Sequence, residues 1–348
     1  MKKHKKNKKK WKINKTTILF IFLDICAVIC FFIMYGPWNY VRNLYVTTAM
    51  QTRSHKYLAK VFYSDQKIEK IMNSNVFISV DENVNLDDIV INTKEKNKYK
   101  DEYEKELLTR EPGNDLYKVL DVKVGNAKGY LIAIYDPTKV RLLRVKKFNA
   151  GTYGERVIDF CKRYGGEVCI NGGGFANGLD NGSDVPLGYV IDNGKVAWPI
   201  KDDYSNTRGN IIGITNDGKL QLMNNTTGPE AIAAGVKYGI EFGPFLIVNG
   251  KAATIVGLPY GVANKCVIAQ RKDGVMMFLV TEGESYIDGA SLKDVVEVLE
   301  KYGAYNAANL DGGQSTSLVI NDKLVNTPNH LAKKQGGRYV VTGWGLIP

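Results

Sequence analysis

The 348-residue chain is 44% hydrophobic and 24% charged, which allows a sizeable buried core and excludes a collagen-like or wholly disordered polymer. Its formal charge of +11 is concentrated at one end: the first 15 residues hold nine lysines and no acid, and the other 38 basic residues oppose 36 acidic ones. That near balance gives no basic nucleic-acid-binding face in the body of the protein, and with histidine only at His4, His55 and His330 there is no histidine-ligated metal cluster.

The first predicted element is a membrane span. Thr16 to Tyr35 is an almost unbroken apolar run of about the 20 residues that cross a bilayer core. The lysine block of residues 1–15 stays in the cytoplasm, which sends everything after Tyr35 to the outer face of the plasma membrane in a single-pass protein. Tyr35, Trp38 and Tyr40 fit an aromatic belt at the lipid–water boundary. A secretory signal has an apolar region of about 7–15 residues followed by a small-x-small cleavage site. Nothing close behind Tyr35 fits that pattern, so residues 16–35 read as a retained anchor. Asp24 lies near the middle, where a charge is costly, and reads as protonated or paired with another helix; the sequence sets no oligomeric state.

Residues 36–110 carry short apolar groups, such as Tyr57-Leu58 and Val61-Phe62, and then the charge-dense Asn92 to Glu106. They read as a membrane-proximal helical segment followed by a solvated spacer. From Glu111 to Pro348 the punctuation is regular. Asn193-Gly194, Asp217-Gly218, Asn249-Gly250 and Asp273-Gly274 each separate apolar runs, which predicts four hairpins.

Two helices interrupt that pattern. Thr152 to Tyr164 places Val157, Phe160, Cys161 and Tyr164 on one face and stops at Gly165-Gly166. Ser291 caps a second helix bearing Leu292, Val295, Val296 and Leu299, with Gly303 past its end. Each leads through glycine into a short strand and then a glycine-rich turn, Asn171-Gly172-Gly173-Gly174-Phe175 in one case and Asp311-Gly312-Gly313-Gln314-Ser315 in the other. The repeat predicts an α+β domain of mixed sheets in which Asn171 and Asp311 share one sheet edge, where such proteins put chemistry. Cys161, Cys169 and Cys266 lie outside the span; Cys161 and Cys169 could pair, but buried free thiols are the expectation.

The reactive residues narrow the chemistry. A serine nucleophile elbow would need glycine where Ser317 stands, and no helix pattern follows Gly172 to Gly174 as a dinucleotide fingerprint requires. Carboxylate, amide, hydroxyl and arginine chemistry remains, which suits sugars and their phosphodiesters. A glycosidase needs one carboxylate to attack or to activate water, and usually a second to protonate the leaving oxygen. When the leaving group is a phosphate monoester, an arginine that neutralises it matters more than the proton. Asp311, Glu241, Glu282, Glu284, Arg208, Arg271 and Arg338 supply the candidates.

The run NLDGGQSTSLVINDKLVNTPN, Asn309 to Asn329, follows the Ser291 helix and the strand Asp273 to Gly283. This arrangement resembles the phosphodiester glycosidase family, which includes N-acetylglucosamine-1-phosphodiester alpha-N-acetylglucosaminidases and bacterial proteins labelled as exopolysaccharide biosynthesis proteins. Asn171 to Phe175 resembles the family's asparagine-glycine-glycine-phenylalanine motif, and Glu241 to Lys251 resembles its glycine-proline strand and hairpin. The resemblance covers roughly residues 111–348. It implies hydrolysis between a sugar anomeric carbon and phosphate, with Asp311 as acid/base or nucleophile and Glu241 and Glu282 as candidate second carboxylates. It also implies a substrate pocket of Asn171, Gly172, Gly173, Gly312, Gly313, Gln314 and Ser315, with Arg338 and Arg208 as phosphate-binding candidates. Lys265-Cys266 and Glu282-Gly283-Glu284 stand where the family usually has arginine-threonine and aspartate-glycine-arginine, which makes the pocket less cationic.

The expected partners are membrane lipid and a surface or wall polysaccharide phosphodiester carrying an N-acetylglucosamine-like sugar. The chemistry requires no cofactor. Asp180, Asn181 and Asp184 on one glycine-containing loop form a candidate structural calcium site. Two other readings stay open at this point: a metal-dependent phosphodiesterase acting at phosphorus, and a non-catalytic wall-glycan binding or assembly protein.

Overall fold

Helix Lys15–Tyr35 is apolar around its circumference, buries no side chain against the protein and is long enough to cross a membrane. Asn14 caps it, accepting from Thr17 N at 2.8 Å. The structure, a computed structural model, describes residues 14–52, 55–176, 184–199, 207–283, 288–327 and 336–348. The chain divides into two units, Met1–Met72 and Asn73–Pro348. In the first, helices Asn39–Gln51, Lys56–Phe62 and Asp65–Asn73 enclose Val46, Ala49, Ala59, Tyr63, Ile68 and Ile71. Two tyrosines tie them to the end of the apolar helix: Tyr63 donates its hydroxyl to Met34 O at 2.7 Å, and Tyr35 donates to Phe62 O at 2.8 Å.

The second unit is α+β, as the sequence predicts, and the ladders of its three large sheets are antiparallel. One sheet has seven strands, in the order Lys251–Ala252, Phe245–Val248, Ala304–Asn309, Cys266–Arg271, Met276–Glu282, Ala127–Ile134 and Tyr117–Val124. A five-stranded sheet runs Lys323–Leu324, Leu318–Ile320, Val168–Asn171, Thr342–Leu346 and Val140–Arg144. Another runs Leu220–Thr226, Gly209–Thr215, Val236–Glu241, Val190–Asp192 and Lys195–Trp198. All four turn dipeptides close hairpins as predicted.

The middle of the seven-stranded sheet is buried on both faces, which is why strands such as Phe245–Val248 and Met276–Glu282 read as nearly continuous apolar runs. Met276, Phe278 and Val280 face one core with Ile132, Ile268 and Ala308, whereas Met277 and Leu279 face the other with Leu131, Val267 and Ala307. Helix Leu292–Lys301 covers the second face, its start fixed by a capping box between Ser291 and Asp294. The first core is shared with the other two sheets through Ile170 and Trp344 from one and Ile212 and Ile240 from the other.

Four expectations change. Residues 73–110 belong to the larger unit: Val76–Ile78 pairs with Thr254–Val256, Val90 N donates to Lys272 O, and helix Glu102–Leu108 buries Leu107 and Leu108. The charges of that stretch pair with the domain, Glu104 meeting Arg271 at 2.7 Å and Lys96 at 3.2 Å, and so they do not mark a solvated spacer. The first helix begins at Val157, because Thr152 donates to Asp184 and Glu155–Arg156 pairs as a strand with Tyr339–Val340. Cys161 and Cys169 form a disulfide in place of the expected free thiols, because the helix packs on its following strand and brings their Cα atoms to 5.8 Å. Lastly, Asn171 and Asp311 lie on two sheets whose ends meet, not on one edge.

Candidate active site

Three strands, one from each large sheet, end close together. Val168–Asn171 runs into the first glycine turn, Ala304–Asn309 runs into Asp311, and Val236–Glu241 stops at Glu241. Asp311 N donates to Gly172 O at 3.0 Å. Asn171 locks the junction: its Nδ2 donates to Asp311 O at 2.6 Å and its Oδ1 accepts from Ser317 N at 3.0 Å. Gly173 N donates to Thr342 Oγ1 at 3.0 Å, and a Cβ on Gly173 would lie 3.5 Å from Glu241 O. One turn of backbone thus has the Asp311 peptide on one side and the Glu241 peptide on the other.

The Asp311 turn is built for close approach. A Cβ on Gly312 would stand 2.7 Å from Asn264 O, the carbonyl that accepts from Gly313 N at 2.8 Å. Gly313–Ser315 is a 3-10 turn that buries Ser315 and exposes Gln314. Buried Asn326 holds the following backbone, accepting from Leu318 N at 2.7 Å and donating to Thr316 O at 2.9 Å. Arg338 spans both turns: its Nη1 donates to Ser315 Oγ at 3.1 Å, and its guanidinium lies 5.0 Å from the Phe175 ring centroid. The planar donors of a guanidinium suit a phosphate oxygen.

Lys265 and Cys266 lie behind this turn. Cys266 Sγ is 3.8 Å from Asn171 O, and burial, then the charge of Asp311, push its thiol well up, which makes it an inert packing group. Lys265 Nζ donates to Tyr260 O at 3.2 Å and Gly261 O at 3.4 Å, and burial lowers it to about 8. Its ammonium braces that bend.

Glu241 faces a cleft of about 300 Å³ lined by Leu187, Gly188, Tyr189, Trp198, Pro199 and Thr207. Tyr189 N donates to Glu241 Oε2 at 3.0 Å. An apolar, aromatic cleft with one fixed carboxylate has the composition of a small-molecule site. The carboxylate lies over glycine on both sides, and a Cβ on Gly209 would come within 2.1 Å of Glu241 Oε1. Gly209→Ala is therefore expected to displace the carboxylate while leaving the fold intact, because the atoms it meets are the mobile end of a side chain. Turnover should fall by up to ~100-fold with the melting temperature within a few degrees of wild type; turnover at the wild-type level would remove the seated Glu241 from the chemistry.

The remaining candidates are engaged elsewhere. Arg208 is held bidentately by Glu230 at 2.8 and 2.9 Å and donates to Asn225 O, and its hydrogen bonds lower the Glu230 carboxyl to about 2. Glu282, two strands from the one that leads to Asp311, accepts from Tyr130 Oη at 3.2 Å and Thr327 N at 2.7 Å. Buried Asp184 accepts from Ala150 N, Thr152 N and Thr152 Oγ1 through its Oδ2, and so closes the loop before the first helix. Asp180, Asn181, Glu284 and His330 lie outside the described residues. Sequence reasoning missed Thr342, Asn326, Trp198 and Gly209. Asn326 lay within the Asn309 to Asn329 run, whereas the Gly209–Glu241 contact follows from strand pairing that no local motif encodes.

A profile of the phosphodiester glycosidase family matches residues 164–347, more than half of the chain. In sequence the chain is similar to the SPbeta prophage-derived uncharacterized protein YomE of Bacillus subtilis (strain 168), with 26% identity over 182 residues. That match covers 50% of this chain and 27% of the relative, so the chain spans about a quarter of the length of the curated protein it matches. In fold it is similar to the zebrafish N-acetylglucosamine-1-phosphodiester alpha-N-acetylglucosaminidase catalytic domain auto-inhibited by its pro-peptide, with a TM-score of 0.54, 20% identity, and coverage of 67% of this chain and 82% of that one. A hypothetical protein from Synechocystis aligns with a TM-score of 0.44 and 17% identity, covering 66% of this chain and 61% of that one. The matched range includes the Asn171 turn, Glu241, Asp311 and Arg338, and the chain belongs to the phosphodiester glycosidase family.

Proposed function

We propose that the protein hydrolyses a sugar-1-phosphodiester at the bond between the anomeric carbon and the phosphate oxygen, releasing the sugar and leaving a phosphomonoester. The observation that carries this reading is the meeting of the Asp311 turn, the Arg338 guanidinium and the Glu241 strand end around one backbone turn. Asp311 attacks the anomeric carbon or takes the proton of the attacking water, and Glu241 is the second carboxylate at the aromatic cleft. Arg338 neutralises the departing phosphate, so its oxygen needs little protonation. One water is consumed: with Asp311 as base, its oxygen bonds to the anomeric carbon as the carbon–oxygen bond to phosphate breaks; with Asp311 as nucleophile, the carboxylate bonds first as phosphate leaves, and water then breaks that ester and frees Asp311. In both routes one water proton stays on the sugar hydroxyl and the other passes to the solvent or phosphate.

The proposed setting is the outer face of a plasma membrane, with an N-acetylglucosamine-like sugar of a surface or wall polysaccharide as substrate. The lysine block before the apolar helix supports that orientation, and the Cys161–Cys169 disulfide fits an oxidising compartment. The bonds from Tyr63 to Met34 and from Tyr35 to Phe62 make the end of the apolar helix part of the unit that follows, which favours a retained anchor over a cleaved signal. No cofactor is needed by the proposed reaction, and the Asp184 carboxylate is used to hold Ala150 N and Thr152.

Product analysis tests the reading. The purified chain, incubated with an N-acetylglucosamine-1-phosphodiester with and without a chelator, is expected to release free sugar in both cases. Sugar phosphate that disappears with the chelator would move the reaction to phosphorus, and binding without any product would make this a glycan-binding member of the family.

A further inference from the structure

We propose that the two helices after the span, Asn39–Gln51 and Lys56–Phe62, form an interfacial foot that lies in the lipid headgroup layer at the end of helix Lys15–Tyr35 instead of standing clear of the membrane in water. The inference rests on the reading of that helix as a membrane span. Two hydrogen bonds fix the depth. Tyr35 Oη donates to Phe62 O at 2.8 Å and Tyr63 Oη donates to Met34 O at 2.7 Å, so residues 62 and 63 stand within one tyrosine side chain of the last turn of the span. The ring of Tyr35 also packs against Tyr63, with centroids 5.9 Å apart.

What this geometry brings to the boundary is apolar and uncovered. Val61 is 70% exposed and Phe62 is 40% exposed, while Trp38 and Tyr40, which open the next helix, are 54% and 68% exposed. Tyr57, one turn before Val61 on the same helix face, is exposed as well. The interior of this small unit is already filled by Val46, Ala49, Ala59, Tyr63, Ile68 and Ile71, which leaves Val61, Trp38 and Tyr40 outside it, while Phe62 meets Tyr45 edge-on at 6.0 Å and keeps the rest of its ring exposed. Tryptophan and tyrosine at headgroup depth are the residues that settle there, with an apolar body and a polar tip. Lys56 and Lys60 on the same short helix can extend their ammonium groups to lipid phosphates while their stems lie along the apolar layer, although Lys60 also sits 3.6 Å from Asp65. The foot would lower the freedom of the segment that leaves the membrane, since it is pinned at the span and along the lipid surface.

Spin labelling of the full chain in phosphatidylcholine–phosphatidylglycerol vesicles tests this. In a Cys26→Ser, Cys30→Ser background, a nitroxide is placed by Val61→Cys, with Ile29→Cys in the span and Lys123→Cys on the exposed surface of the larger unit as references; Cys266 is buried and Cys161–Cys169 is bonded, so neither takes the label. The ratio of oxygen to nickel-chelate accessibility at position 61 is expected to be severalfold above that at position 123 and below that at position 29. A label at 61 that matches the one at 123, while 29 reads as lipid, overturns the foot and leaves the span standing. A label at 29 that reads as water overturns the span and the foot together.

Discussion

Asp311→Asn is expected to lower kcat for sugar release by ~10²–10⁴-fold with little change in KM or in stability. The substitution keeps the shape of the side chain and removes only its charge and basicity. The turn itself is held by backbone groups, Asp311 N on Gly172 O and Asp311 O under Asn171 Nδ2, and both bonds survive in the variant. A loss of turnover would therefore report chemistry and not misfolding. The opposite pattern, near-normal kcat with a lowered melting temperature, would show that Asp311 serves as a turn residue. Glu241→Gln provides an internal comparison. Because a phosphate leaving group needs little protonation, its loss should be smaller than that of Asp311→Asn, and a larger loss would reverse the two roles assigned here.

Much of this arrangement can be read in the sequence wherever the determinant is local. The asparagine-glycine and aspartate-glycine pairs predicted their hairpins because those residues tolerate the positive φ that tight turns require, as at Asn193 and Asn249. Ser291 and Asp294 announced a helix start for a similar reason, since both partners of the capping box lie within one turn of each other. The meeting of Asn171 with Asp311 was foreshadowed by the repeated helix, strand and glycine turn, although the repeat placed them on one sheet and the backbone puts them on two.

Distant determinants stayed hidden. Residues 92–106 look solvated because lysines and acids crowd together there with few apolar residues among them, yet Arg271 reaches Glu104 from 167 positions away. The seat of Glu241 depends on a pairing that opposes Glu241 to Ile211 and so brings Gly209 beneath the carboxylate. The partners of Arg208 and Glu282 are likewise set by tertiary packing: a surface arginine and a strand-end glutamate look as catalytic in sequence as Arg338 and Asp311 do.

Arg271 supplies the largest expected effect on stability. Arg271→Met should lower the unfolding free energy by ~3–5 kcal/mol, measured as a shift in denaturant midpoint at neutral pH. Arg271 is 8% exposed, and its guanidinium meets Asp273 at 2.9 Å, Glu104 at 2.7 Å and Tyr302 O at 2.6 Å. Burial alone would raise the Asp273 carboxyl, but the hydrogen bonds from Arg271 and then Lys96 hold it below its ordinary value. Glu104 is depressed in the same way, with burial opposed by Lys100 N, Lys96 and Arg271. Carboxyls depressed in the folded state contribute stability that is present above their unfolded pKa values and lost as pH falls through the folded ones. Without Arg271, burial would dominate at Asp273 and the carboxylate would be strained when charged, so acid would relieve the variant while weakening the wild type. The difference between the two proteins should therefore shrink as pH is lowered toward 4 and below. A gap that stays constant across that range would mean that Arg271 stabilises through packing of its stem and its bond to Tyr302 O, and not through the two carboxylates that converge on it.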